Sequence, residues 1–117
     1  MRNFRLFAIT SLVVLAPLTA SAHAFLDHAE PRVGNTVASA PHEVRLWFTQ
    51  KLEQAFSTIE VTDGSGHRVD SGKARVNGNE MAISVKNLVP GSYQVNWHVL
   101  SVDTHRTDGN FSFTIGK

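Results

Sequence analysis

Three residues near opposite ends of the chain, His23, Asp103 and His105, could bind a metal ion together. His23 follows Ala20-Ser21-Ala22, which has the small-x-small pattern of a signal peptidase cleavage site. Cleavage after Ala22 would give His23 a free α-amine beside its imidazole, and therefore two nitrogen donors on one residue. Together with an Asp103 oxygen and a His105 nitrogen, these donors form a set of three nitrogens and one oxygen.

This donor set predicts Cu(II), which favours square-planar nitrogen and oxygen ligands and stands at the top of the Irving–Williams order. The α-amine loses its proton readily, because its ordinary pKa is about 8 and a bound metal lowers it. Residues two apart in an extended segment point the same way. We therefore expect Asp103 and His105 to face one site from the end of a strand over residues 93–102, with a turn over residues 106–109.

The N-terminal segment has the features of a secretory leader. Arg2 and Arg5 precede an almost wholly apolar stretch over residues 6–18, which Pro17 interrupts. That stretch is shorter than the roughly 20 residues a spanning helix needs. The sequence predicts a signal peptide over residues 1–22 and one secreted domain over residues 23–117, which is not embedded in the membrane after processing.

Charge and cysteine content exclude several classes of function. The leader holds two of the 11 basic residues and none of the 10 acidic ones, so the remaining chain has a formal net charge of −1. With no basic patch left, nucleic acid is not an expected partner. The chain has no cysteine, which excludes blue-copper, iron–sulfur and most structural zinc sites.

The hydrophobic pattern predicts an all-β fold. Apolar residues alternate with polar ones in short segments separated by turn signals, which favours about seven strands in an antiparallel Greek-key β-sandwich or barrel. The clearest predicted strands cover residues 43–48, 56–62, 81–85, 93–102 and 111–115, with weaker signals at 23–28, 67–70 and 74–76. The aromatic residues expected in the core are Trp47, Phe48, Trp97, Phe111 and Phe113.

The other histidines are expected to have no part in the metal site. His42 and His67 lie in turn-like surroundings and are predicted to be on the surface. His28 has the opposite strand parity to His23 and should point away from it. His98 has the wrong parity relative to Asp103 and His105, so a packed or hydrogen-bonded role is expected.

Several motifs extend this interpretation across the whole of the predicted domain. They are His23-Ala24-Phe25-Leu26, Glu30-Pro31, Leu46-Trp47-Phe48, Val89-Pro90-Gly91-Ser92-Tyr93, Trp97-His98-Val99-Leu100-Ser101-Val102-Asp103-Thr104-His105 and Gly109-Asn110-Phe111-Ser112-Phe113. In these motifs the chain resembles the CopC copper-resistance family, and within it the YobA-type enterobacterial branch.

The resemblance implies a periplasmic, cupredoxin-like β-sandwich that binds one Cu(II) per chain and is not an enzyme. The family's Cu(II) ligands correspond to His23, Asp103 and His105. The resemblance further implies a CopD-type inner-membrane protein as partner in copper uptake or handling. We expect a monomer.

Two positions depart from the family pattern. Some relatives bind Cu(I) in a methionine-rich loop, whereas the predicted domain has only Met81. Because a soft ion needs several soft ligands, no dedicated Cu(I) site is expected. Where this chain has Gln50, relatives often have a glutamate. If that carboxylate supports the metal ligands in the relatives, its absence here is expected to weaken the metal site.

The residue types alone leave other functions open. An N-terminal histidine with a second histidine also resembles the histidine brace of copper monooxygenases, in which copper activates oxygen. A metal-free secreted interaction module is a third possibility, and zinc could compete for the same donors. Asp103 and His105 could also be no more than a surface ion pair near a turn.

Overall fold

The computed structural model describes residues 24–117, so His23 and the predicted leader lie outside the described residues. The described chain forms eight strands and one short 3₁₀ turn at Gln54–Phe56. The strands are β1 (Leu26–Glu30), β2 (Thr36–Val37), β3 (Glu43–Phe48), β4 (Thr58–Asp63), β5 (Asp70–Asn77), β6 (Glu80–Val85), β7 (Gly91–Leu100) and β8 (Arg106–Ile115).

The strands form two four-stranded sheets, with orders β1-β3-β6-β5 and β2-β8-β7-β4. All pairings are antiparallel except that of β2 with β8. The sheets pack face to face, so the predicted all-β sandwich is confirmed. Within residues 24–117 there is no helix with the length and apolar character that crossing a membrane would require.

The core lies between the two sheets and follows from period-two alternation. Val44, Leu46 and Phe48 of β3 are buried on one face, as the sequence predicts. Tyr93, at the end of the core near the start of β7, donates a hydrogen bond of 2.6 Å to the Val89 carbonyl and accepts one from the Val89 amide. The core residues of β7 and β8 are Tyr93, Val95, Trp97, Val99, Phe111, Phe113 and Ile115.

The prediction that Trp47 belongs to the aromatic core was wrong. The other predicted core aromatics are buried as expected: Phe48, Trp97, Phe111 and Phe113. Because side chains alternate along β3, Trp47 lies on the opposite face from Phe48 and is only partly buried. Its ring stacks on His28, with 4.4 Å between ring centroids and planes 7° apart. Trp47 therefore covers the outer face of the sheet.

The longest strands differ from the predicted ones at their ends. β7 ends at Leu100, so the prediction of a strand over residues 93–102 was wrong at its last two positions. β8 begins at Arg106, so the turn predicted over residues 106–109 is strand. β5 extends over Asp70–Asn77, where the sequence suggested only a weak strand at 74–76.

Strand β5 is the edge of its sheet, and Gln54 covers part of that edge. The Gln54 amide donates to the Ala74 carbonyl at 2.9 Å and its oxygen accepts from the Val76 amide at 2.8 Å. One side chain thus satisfies two backbone groups that a neighbouring strand would otherwise engage.

Gly109 is needed for packing rather than for a turn. It lies opposite Trp97 in the β7–β8 ladder. A Cβ at this position would come within 2.5 Å of Trp97 Cζ2. The Trp97 ring cannot shift freely, because it is buried and packs edge-on against Phe48 with 5.1 Å between centroids.

We predict that Gly109→Ala lowers the free energy of unfolding by about 1–3 kcal/mol through overpacking. Gly116→Ala is the matched control, since its nearest neighbour would be 3.5 Å away, an ordinary contact. Urea denaturation of both variants checks this. Equal stability of Gly109→Ala and wild type would show that the Trp97 contact is not close.

Candidate metal centre

The turn between β7 and β8 brings Asp103 and His105 together. The Ser101 amide donates to the His105 carbonyl at 3.0 Å, and the Thr104 amide donates to the Ser101 carbonyl at 2.8 Å, closing a loop over residues 101–105. Asp103 Oδ1 lies 3.3 Å from His105 Nδ1. Asp103 and His105 are therefore adjacent, as predicted. The turn brings them together, whereas the sequence suggested that their spacing along a strand would do so.

Ser101 organises this turn from inside the protein. It is 1% exposed, and its hydroxyl donates to Asp103 Oδ1. This hydrogen bond is the main cause that lowers the pKa of Asp103 below its usual value; burial acts in the opposite direction, and His105 lowers the pKa further. Asp103 is accordingly a carboxylate at neutral pH, the form that binds cations.

An ion from solvent can reach both side chains, which are 42% exposed for Asp103 and 44% for His105. Two donors do not make a specific copper site. Within residues 24–117 no group of three or more His, Asp, Glu or Cys side chains is arranged to hold a metal. The predicted third ligand residue, His23, lies outside the described residues.

The described chain begins close to this turn. Ala24 is fully buried, and its carbonyl accepts a hydrogen bond of 2.7 Å from the Thr107 hydroxyl, two residues after His105. The next residue, Phe25, exchanges two hydrogen bonds with Thr49: its amide donates to Thr49 Oγ1 and its carbonyl accepts from the Thr49 amide, both at 2.9 Å. Residue 24 is thus fixed beside the start of β8.

The segment after β3 borders the same turn. The Val102 amide donates to the Lys51 carbonyl at 3.0 Å, and Leu52 pairs with Ser101. Gln50 and Val102 line one shallow groove. The position where the family often has glutamate is therefore near the predicted ligands, while its effect on them stays a prediction.

The other histidines are spread over the surface. His42 and His67 are exposed, as predicted. His28 stacks on Trp47 and its Nδ1 lies 2.8 Å from Asp27 Oδ2. His98 is exposed on the outer face of its sheet, where on β7 it alternates with the buried Trp97 and Val99. Of the two expected roles, packing was therefore wrong, and hydrogen bonding stays a prediction.

Sequence reasoning missed the two hydroxyl groups that hold the turn and the N-terminal segment, those of Ser101 and Thr107. The only available signal was their spacing, since Ser101 and Thr107 flank the Asp-x-His motif at two residues on either side. Serine and threonine are common on strands and turns, so spacing alone does not assign them a role.

The family is established by sequence comparison. A family model described as "CopC domain" matches residues 26–116. The chain belongs to the CopC family. This CopC domain is 33% identical over 98 residues to Protein YobA of Escherichia coli K12, an alignment that covers 80% of this chain and 79% of YobA.

A solved structure agrees with the architecture of this CopC domain. The crystal structure of CopC from Methylosinus trichosporium OB3b aligns with a TM-score of 0.76 and 34% identity, covering 80% of this chain and 94% of the other.

A further relative is longer than this CopC domain. "Copper transport protein CutJ" of Bacillus subtilis strain 168 is 32% identical over 120 residues, which cover 99% of this chain and 22% of CutJ. The chain therefore spans less than a quarter of the length of that relative.

The backbone of the turn can be tested at Thr104. Thr104 has φ +73°, a left-handed conformation that costs an L-residue about 1–2 kcal/mol. We predict that Thr104→Gly is about 1 kcal/mol more stable than Thr104→Ala, because both remove the side chain and only glycine adopts this φ freely. Thermal or urea denaturation of the two variants measures the difference, and a more stable alanine variant would contradict the left-handed conformation.

Proposed function

We propose that this CopC domain is a periplasmic copper-binding protein in copper homeostasis or resistance, which holds one Cu(II) ion through His23, Asp103 and His105 after removal of residues 1–22. The observation that carries the proposal is the Thr107–Ala24 hydrogen bond. It holds residue 24 against Thr107, which is two positions after His105 in the chain, and residue 23 is the direct neighbour of residue 24.

The chemistry of the donors supports Cu(II) as the ion. Asp103 supplies a carboxylate oxygen and His105 an imidazole nitrogen, both partly open to solvent. The α-amine and imidazole of His23 would complete a set of borderline and hard donors suited to Cu(II). Met81 is fully buried in the core and cannot offer a thioether at the surface. We therefore propose no dedicated Cu(I) site.

We further propose that copper is cargo and that the domain is not an enzyme. Its relative CutJ is named a copper transport protein, and in CutJ the matching region is one part of a longer chain. A copper-binding domain of this kind would pass copper to or from a membrane protein, for which a CopD-type inner-membrane protein is the candidate partner.

The decisive experiment is electron paramagnetic resonance of the Cu(II)-loaded protein beginning at His23. We expect coupling to three nitrogens and one ion per chain. A protein with one extra residue before His23 should give a changed spectrum, because its imidazole no longer shares a residue with the α-amine. Identical spectra would remove the α-amine from the coordination sphere and overturn the proposed site.

Ligand variants complete this experiment. Asp103→Asn and His105→Ala should each weaken Cu(II) binding, while His42→Ala, which removes an exposed histidine, should not. Copper should also raise the melting temperature of wild type, because an ion bound only to the folded state stabilises that state. A melting temperature unaffected by copper would favour a metal-free interaction module.

The role of the Thr107 hydroxyl can be separated from that of the ligands. We predict that Thr107→Val, which keeps the side-chain shape and removes the hydrogen bond to Ala24, lowers Cu(II) affinity roughly 5- to 10-fold, since one such bond contributes about 1 kcal/mol. Competition with a chelator of known affinity measures this. Thr114→Val, near the other end of β8, is the control and should bind copper as wild type does. Unchanged affinity in Thr107→Val would show that His23 is placed without this bond.

A further inference from the structure

We infer that Ser101 is a positioning residue for copper binding, which presents Asp103 and His105 to the ion without binding it; this rests on the proposed function. No pattern in the sequence assigns it that role. The inference comes from its place at the centre of the turn over residues 101–105.

Ser101 is bonded to both members of the pair. Its hydroxyl donates to Asp103 Oδ1, and its oxygen accepts from the His105 amide at 3.4 Å. The Ser101 amide also donates to the His105 carbonyl at 3.0 Å. Because Ser101 is 1% exposed and follows directly after β7, it provides a rigid point against which the exposed part of the turn is held.

These contacts distinguish the two oxygens of Asp103. Oδ1 is turned towards the Ser101 hydroxyl and lies 3.3 Å from His105 Nδ1. Because the Ser101 hydroxyl engages Oδ1, the proposed copper ligand of this carboxylate is its other oxygen, Oδ2. Without the Ser101 hydroxyl, the Asp103 side chain, which is 42% exposed, could rotate and the pair would have to be ordered each time copper binds.

Ser57 offers a matched control in the same region. It is also a buried serine, 5% exposed, and its hydroxyl accepts from the amide of Leu100, the residue directly before Ser101. Its hydrogen bond supports the backbone of β7 rather than a proposed ligand. Removing it tests the effect of losing a buried hydroxyl next to the turn.

The test compares Cu(II) affinity and the paramagnetic resonance spectrum in wild type, Ser101→Ala and Ser57→Ala, by chelator competition on protein beginning at His23. Loss of a group that orients metal ligands typically costs 10- to 100-fold in affinity. We expect a decrease of about that size and an altered spectrum for Ser101→Ala, and wild-type behaviour for Ser57→Ala. A Ser101→Ala protein with wild-type affinity and spectrum would overturn the inference.

Two further variants exclude a merely structural role. In an Asp103→Asn background, Ser101→Ala should cause a smaller loss of affinity than in wild type, because the contact between the Ser101 hydroxyl and the Asp103 carboxylate is already lost as a charged interaction; an equal loss in both backgrounds would refute this. Ser101→Thr, which keeps the hydroxyl, should bind copper more tightly than Ser101→Ala, and it serves as the test if the alanine variant does not fold. A threonine variant as weak as Asp103→Asn would also overturn the inference. Failure of wild type itself to bind Cu(II) would refute the proposed function instead.

Discussion

The hydrogen bond between the Thr107 hydroxyl and the Ala24 carbonyl joins two parts of the chain that lie 83 positions apart. One is the N-terminal segment and the other is the start of β8, directly after the Asp-x-His turn. Since the chain contains no cysteine, no disulfide can hold these parts together. Their proximity depends on this bond, on the pairing of Phe25 with Thr49, and on the sandwich behind them.

The sandwich provides a rigid support for the turn. β7 and β8 pair over ten residues, from Gly91 opposite Ile115 to Leu100 opposite Arg106, so the turn between them has fixed ends. Trp97 and Phe48 fill the core beneath that end of the ladder. A glycine at position 109 makes room for the Trp97 ring, which links the packing of the core to the alignment of the two strands that carry the turn.

Alternation of apolar residues was enough to predict the sandwich and most of its core, because β3, β7 and β8 each bury every second side chain. It failed for β5, an edge strand whose side chains are mainly exposed and therefore give little hydrophobic signal. The turn over residues 101–105 also could not be predicted from the sequence, because its residue with left-handed backbone conformation is Thr104 rather than glycine or asparagine. The sequence thus identified Asp103 and His105 as a pair, but the reason for their proximity is the hydrogen bonding of the turn around Ser101.

The bridging amide of Gln54 bears on how this molecule behaves among copies of itself. An exposed edge strand can accept an extended segment from another chain, which leads to swapped dimers or fibrous aggregates. To pair with β5 at these positions, an extended segment of another chain would first have to break the hydrogen bonds of Gln54 to Ala74 and Val76. We therefore expect Gln54, although it is a polar residue outside the strands, to hinder self-association of the protein through the β5 edge.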